Sequence, residues 1–203
     1  MAIIKNKRPY SFVTKGSNLS GFKGISSQNY DNVTYGEIIT GSFYPLSSSV
    51  RSDFFEANHN SVRLSALKNT LNYNAKFSKH YLFESEYGNK FQQELRMLSI
   101  PSSFYGSSIK KGTVTCKWYV TGTLIAELGD PKRNGELIQI GPAGSLGSGS
   151  VAGLVLYNEG FILLTGSWNL HTTYTDNFNT NNPLALYPPS WKYFLTSGSI
   201  PVG

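Results

Sequence analysis

A single cysteine, Cys116, excludes an internal disulfide and a cysteine-rich zinc site. It alternates in phase with Val114, Trp118 and Val120, so it reads as a small, buried, unreactive residue of a chain folded in a reducing cytoplasm. No apolar run approaches the roughly 18 residues that a membrane-crossing helix needs. Met1-Ala2-Ile3-Ile4-Lys5 opens without the apolar segment of a signal peptide. Charge is scarce too, at 15% of residues, and the net charge of +6 is dispersed, densest at Lys5-Asn6-Lys7-Arg8 and Lys132-Arg133. No RNA-recognition, KH or helix-turn-helix pattern accompanies that charge, so nucleic acid is not an expected partner. The three histidines, His59, His80 and His171, lack metal-ligand spacing.

Aromatic residues are plentiful, with 13 Tyr and 12 Phe, and turn-forming Gly, Ser, Asn and Thr surround them. This composition predicts a mainly β fold: an antiparallel β-sandwich-like domain with one short helix and extended terminal arms. The clearest local signal is a hairpin of Ser150 to Tyr157 and Phe161 to Gly166, joined by Asn158-Glu159-Gly160. Val151, Val155 and Tyr157 point one way and Ala152, Leu154 and Leu156 the other; Phe161 and Leu163 oppose Ile162 and Leu164. Both faces are apolar, so a helix, a second sheet or another subunit must cover the second one.

Thr113 to Thr121 alternates cleanly as a half-buried strand, with Leu124 to Leu128, Glu136 to Ile140 and Phe91 to Ile100 as further strands and Tyr81-Leu82-Phe83 as a short one. One helix is expected near Ser61 to Asn72, capped by Asn60 or Ser61 and burying Val62, Ala66, Leu67 and Leu71, with a shorter one around Ser49 to Glu56. The chain then divides into an extended N-terminal arm (1–48), a β-rich core (49–170) and a Pro/Asn-rich C-terminal arm (171–203). The first segment is either an arm or a leader lying on its own domain. Aromatic side chains on such loose segments need a surface to cover them, on this domain or on a neighbour. Tyr10, Phe12, Phe22, Trp191, Tyr193 and Phe194 are the expected arm anchors at an interface.

Chemistry is hard to find. The Gly-rich stretch Gly141 to Gly153 has no Lys to make a phosphate loop, and it leads into a strand rather than a helix. Glu127, Asp130, Glu136 and Glu159 gather near loops of the β-block, but acids at turns are usually solvated. No nucleophile elbow is present, and Cys116 sits mid-strand. The expectation is therefore no catalytic residue, no cofactor and no metal. Exposed Tyr and Trp are suited to stack on sugar rings, although core packing uses the same residues.

One long pattern goes further. Ile100-Pro101-Ser102-Ser103-Phe104-Tyr105-Gly106, Ile109-Lys110-Lys111-Gly112-Thr113, Tyr119-Val120-Thr121-Gly122, Asn134-Gly135-Glu136-Leu137 and Gly153 with Val155-Leu156-Tyr157-Asn158-Glu159-Gly160-Phe161 follow in order. Together they resemble virion structural proteins of tailed, especially marine, bacteriophages. The resemblance covers about residues 62 to 170. It implies a non-enzymatic assembly component of the tail (baseplate, neck or fibre), located in the virion and assembled in the host cytoplasm. Its partners would be copies of itself and other virion proteins. The alternatives are a carbohydrate-binding module that recognises the host surface and a capsid decoration protein.

Overall fold

The computed structural model describes residues 50–178 and 185–195, and Tyr10, Phe12 and Phe22 lie outside them. The fold is mainly β. Its frame is a seven-stranded sheet in the order β1-β4-β9-β8-β7-β6-β5, every neighbouring pair antiparallel. The strands are β1 (Arg51–Phe55), β4 (Leu95–Ser99), β5 (Thr115–Val120), β6 (Thr123–Gly129), β7 (Glu136–Gly141), β8 (Val151–Leu156) and β9 (Phe161–Leu164). The strands β2 (Glu84–Ser85) and β3 (Gly88–Asn89) form a separate small hairpin. Strands β5 to β9 are a continuous meander, each paired with the next, and β4 then lies beside β9.

Helices α1 (Val62–Ala66) and α2 (Lys68–Asn74) follow β1, and a single turn, α3 (Ser102–Tyr105), follows β4. The expected helix is thus two short ones in tandem. The Ser61 hydroxyl caps the first by accepting from Leu64 N at 3.4 Å. The buried stripe is Leu64, Leu67 and Leu71. Val62, expected on that stripe, is 82% exposed. The helix expected around Ser49 to Glu56 is instead strand β1. Period-two alternation decides this, because Phe54 packs on one face of the sheet and Phe55 on the other. Tyr81-Leu82-Phe83 is no strand either. Lys79–Tyr81 is a 3-10 turn, and Phe83 N donates to the Asn72 side chain at 2.9 Å rather than to a neighbouring strand.

The sheet has an apolar core on each face. Leu64, Leu67 and Leu71 close one face over Leu95, Met97, Leu154, Leu156 and Leu163. On the other, Leu170, Phe178, Trp191 and Tyr193 close over Leu98, Ala126, Leu137, Val155 and Ile162. The sheet curls around this second core. Phe54 of β1 lies 5.5 Å from Tyr193, and Trp118 of β5 lies 6.0 Å from Trp191 and 5.6 Å from Phe194, centroid to centroid, so the two edge strands meet one aromatic plug.

The central hairpin needs one change of face. Leu137 pairs with Gly153 and Ile138 with Val151, leaving Ala152 as an extra residue. This bulge turns Ala152 to the side of Val155 and Tyr157, whereas strict alternation places it with Leu154 and Leu156.

The expected anchors of the C-terminal arm take a different place. Trp191 is 0% exposed and Tyr193 is buried with it, in the core of their own chain, while Phe194 packs against that core half-buried. Trp191 and Tyr193 therefore pack within their own chain. The physical reason is the curl of the sheet, which presents a concave apolar face that this segment fills. Four backbone and ionic contacts hold it there. Leu170 N donates to Pro189 O at 2.8 Å, Lys192 N donates to Gly166 O at 3.0 Å, Asp176 and Tyr187 form a bridge, and Lys192 pairs with Glu94.

Candidate functional site

Among the buried polar side chains, Gln139, Asp130, Glu136 and Lys90 are each engaged in holding a loop. Gln139 is 1% exposed, at the centre of β7. Its amide nitrogen donates to Ser145 Oγ at 2.9 Å and Leu146 O at 2.7 Å, and its oxygen accepts from Trp168 Nε1 at 2.9 Å and Trp191 Nε1 at 3.0 Å. Both donors and both lone pairs of the amide are used. One side chain thus ties the Gly-rich connector and the aromatic plug to the sheet. The connector is a run of turns under Trp168.

Asp130 is buried after β6. It accepts from Gly112 N at 2.6 Å, Val114 N at 3.0 Å and the Tyr157 hydroxyl at 2.8 Å. Burial, then the Asp130 carboxylate, push the Tyr157 phenol up. Glu136 accepts from Ser78 Oγ at 2.6 Å and Lys132 Nζ at 2.9 Å. Burial pushes its carboxyl up, but hydrogen bonds from Ser78, Lys132 and Asn134 outweigh that and hold it below the usual range. Glu127 pairs with Lys117 at 3.6 Å. Glu127, Asp130 and Glu136 are thus each engaged by their own partners, and burial, then Glu159 and Glu136 together, push the Tyr81 phenol up.

Lys90 is buried without a carboxylate partner among the described residues. Its ammonium donates to His80 O at 2.8 Å and Leu82 O at 2.6 Å, and burial lowers its pKa to about 8. The histidines are equally scattered. His59 Nε2 meets Lys90 O at 3.0 Å, His80 stacks on Tyr87 at 4.0 Å, and His171 Nδ1 accepts from Tyr174 N at 2.9 Å. Cys116 is buried in β5, and burial pushes its thiol up to about 12. Among the described residues, no cluster of three or more His, Cys, Asp or Glu side chains could hold a metal.

An open concavity lies elsewhere, between the end of α2, the β6–β7 turn and the β8–β9 turn. It encloses about 110 Å³. Phe77, Tyr81 and Tyr157 give it aromatic walls. Asn134, Asn158, Glu159 and Lys111 give it polar ones. The floor is fixed, because Tyr81 Oη donates to Val155 O at 2.5 Å. Asn134 joins two walls, donating to Phe77 O at 3.4 Å while its carbonyl accepts from Glu136 N at 3.1 Å. Lys111 stands over both Phe77 and Tyr157, 5.3 and 5.5 Å from the ring centroids. Sequence reading missed this grouping because its members come from four separate segments. The one available signal was the mixture of aromatic and charged residues after Phe77, beside Lys110-Lys111-Gly112.

No protein-family model, no curated protein and no solved structure matches this chain.

Proposed function

We propose that this chain is a non-enzymatic structural component of a tailed-bacteriophage particle, placed in its tail, with copies of itself and other virion proteins as partners. One observation supports the reading: the residues that carry the resemblance are joints of the scaffold. Ile100 N donates to Gly160 O, Ile109 N to Tyr157 O and Val155 N to Gly135 O, each at 2.8 Å. Gly160 has a φ of 73°, and a side chain there would run into the Tyr105 hydroxyl and the Ile100 carbonyl. A side chain at Gly153 would strike the Leu163 carbonyl and the Leu164 backbone of β9.

The pattern from Ile100 to Phe161 therefore joins the segment after β4, the β6–β7 turn and the β8–β9 hairpin. A signature made of joints specifies an architecture. An enzyme's signature gathers polar side chains around a cleft instead. The test is to tag the chain, recover intact particles from a density gradient, and locate the tag in a map of the particle. Fixed stoichiometry in the tail is the expected result. A tag that stays in the soluble fraction, with particles complete without it, would overturn the proposal.

A further inference from the structure

We infer that the concavity between α2 and the two turns is a binding site for a single pyranose sugar ring. Size narrows the ligand first. At about 110 Å³ the space lies well below the roughly 300 to 1,000 Å³ of pockets that enclose cofactors and drug-sized molecules, so it suits one small ring. The chemistry of the walls narrows it further. Phe77 is 49% exposed although it is large and apolar, and it stands at the lip. A half-exposed aromatic ring, with the Lys111 ammonium 5.3 Å from its centroid, offers a surface that the C–H face of a sugar can cover.

Around it are groups of mixed character. Lys111 donates only, Glu159 accepts only, and Asn158 does both. Lys111, Glu159 and Asn158 make no ion pair or hydrogen bond with another side chain among the described residues. Vicinal hydroxyls, each at once donor and acceptor, satisfy such a set. A phosphate or a polyanion does not, because Glu159 would repel it. The walls are also preorganised: Asn134 fixes the backbone at Phe77, and Tyr81 and Tyr157 are pinned by Val155 and Asp130. The site stands on its own geometry, independent of any place in a particle.

The experiment uses the full chain and four probes of equal length: oligomers of glucose, galactose, N-acetylglucosamine and galacturonic acid, titrated by NMR. At least one neutral probe is expected to saturate, and to do so equally in low and high salt. Phe77→Ala and Asn158→Ala, both at exposed positions, should each weaken it about tenfold or more, equivalent to roughly 1.4 kcal/mol. Phe104→Ala, an exposed aromatic outside the concavity, should leave binding unchanged, and thermal melts would confirm that all three variants fold. The inference is overturned if no probe saturates. It is equally overturned if only galacturonic acid binds and high salt abolishes it, which would make Lys111 a simple anion contact, or if Phe77→Ala and Asn158→Ala bind like the parent. None of these outcomes bears on whether the chain co-sediments with particles.

Discussion

On one face of the sheet the cover is Leu64, Leu67 and Leu71, carried on two short helices; on the other it is Leu170, Phe178, Trp191 and Tyr193, carried on chain with little regular structure. A helix satisfies most of its own backbone, so its cover needs only apolar side chains of the right spacing. An irregular segment brings unpaired N–H and C=O groups to the sheet, and each needs a partner. Hence the second cover comes with directed polar contacts of its own. Gln139 receives two tryptophan N–H groups, Gly166 O receives Lys192 N, and Glu94 receives the Lys192 ammonium. The first face closes on a leucine stripe with Tyr81 and Phe83 beside it; the second closes by packing plus bonds that converge on Gln139.

The largest way to break this comparison is Trp191→Ala. It removes a fully buried indole and orphans part of Gln139, and should destabilise by about 4 to 5 kcal/mol in urea unfolding. Gln139→Leu keeps the volume but leaves two indole N–H groups and the Leu146 carbonyl without partners, for about 3 to 4 kcal/mol. Its signature is local: hydrogen exchange should accelerate at the amides of Leu170 and Lys192 and stay slow at Leu71. Uniform acceleration across both faces would mean that the two covers are one cooperative unit. Leu71→Ala, on the helical face, should cost about 3 kcal/mol and show the reverse pattern of exchange.

A smaller effect sharpens the picture at Lys90, which is tied to the helical side of the sheet through backbone carbonyls. Its pKa falls to about 8 in the folded chain, from 10.5. Above pH 8 the unfolded chain holds a proton that the folded chain has released, so stability rises with pH, by about 1 kcal/mol between pH 8 and 9. Beyond the ordinary thiol value of 9.0, Cys116 acts with the opposite sign, because its folded pKa near 12 leaves the unfolded chain deprotonating first. Lys90→Met should flatten the rise between pH 8 and 9, and an unchanged pH profile would show that Lys90 does not carry it. The smallest expected effect is kinetic. Alkylation of Cys116 in native protein should be slow and limited by opening of the β5 edge.

The meander was legible in the sequence because its signals are local. Alternation from Thr115 to Val120 and the turn Asn158-Glu159-Gly160 needed no knowledge of the rest of the chain. What covers the second face was not legible. Trp191 and Tyr193 sit in a Pro-rich segment without periodicity, and only the curl of a sheet made elsewhere tells where they go. Strand β1 was misread because Phe54 and Phe55 serve opposite cores, a division visible only once both cores exist. The bulge at Ala152 likewise depends on the partner strand, since alternation by itself cannot show a skipped residue. The concavity was hidden for the same reason, its walls meeting only through the fold.

The order of the strands has a consequence for how the protein is made. The plug is synthesised after every strand it covers, since Trp191 follows β9 in the chain. The helical cover of the other face, by contrast, precedes most of the strands in the chain. A premature stop before Trp191 is expected to leave a product that has every strand but lacks the Trp191 and Tyr193 part of the cover over Leu98, Val155 and Ile162. Such a product is expected to be drawn to chaperones and proteases, which act on exposed apolar surface of this kind.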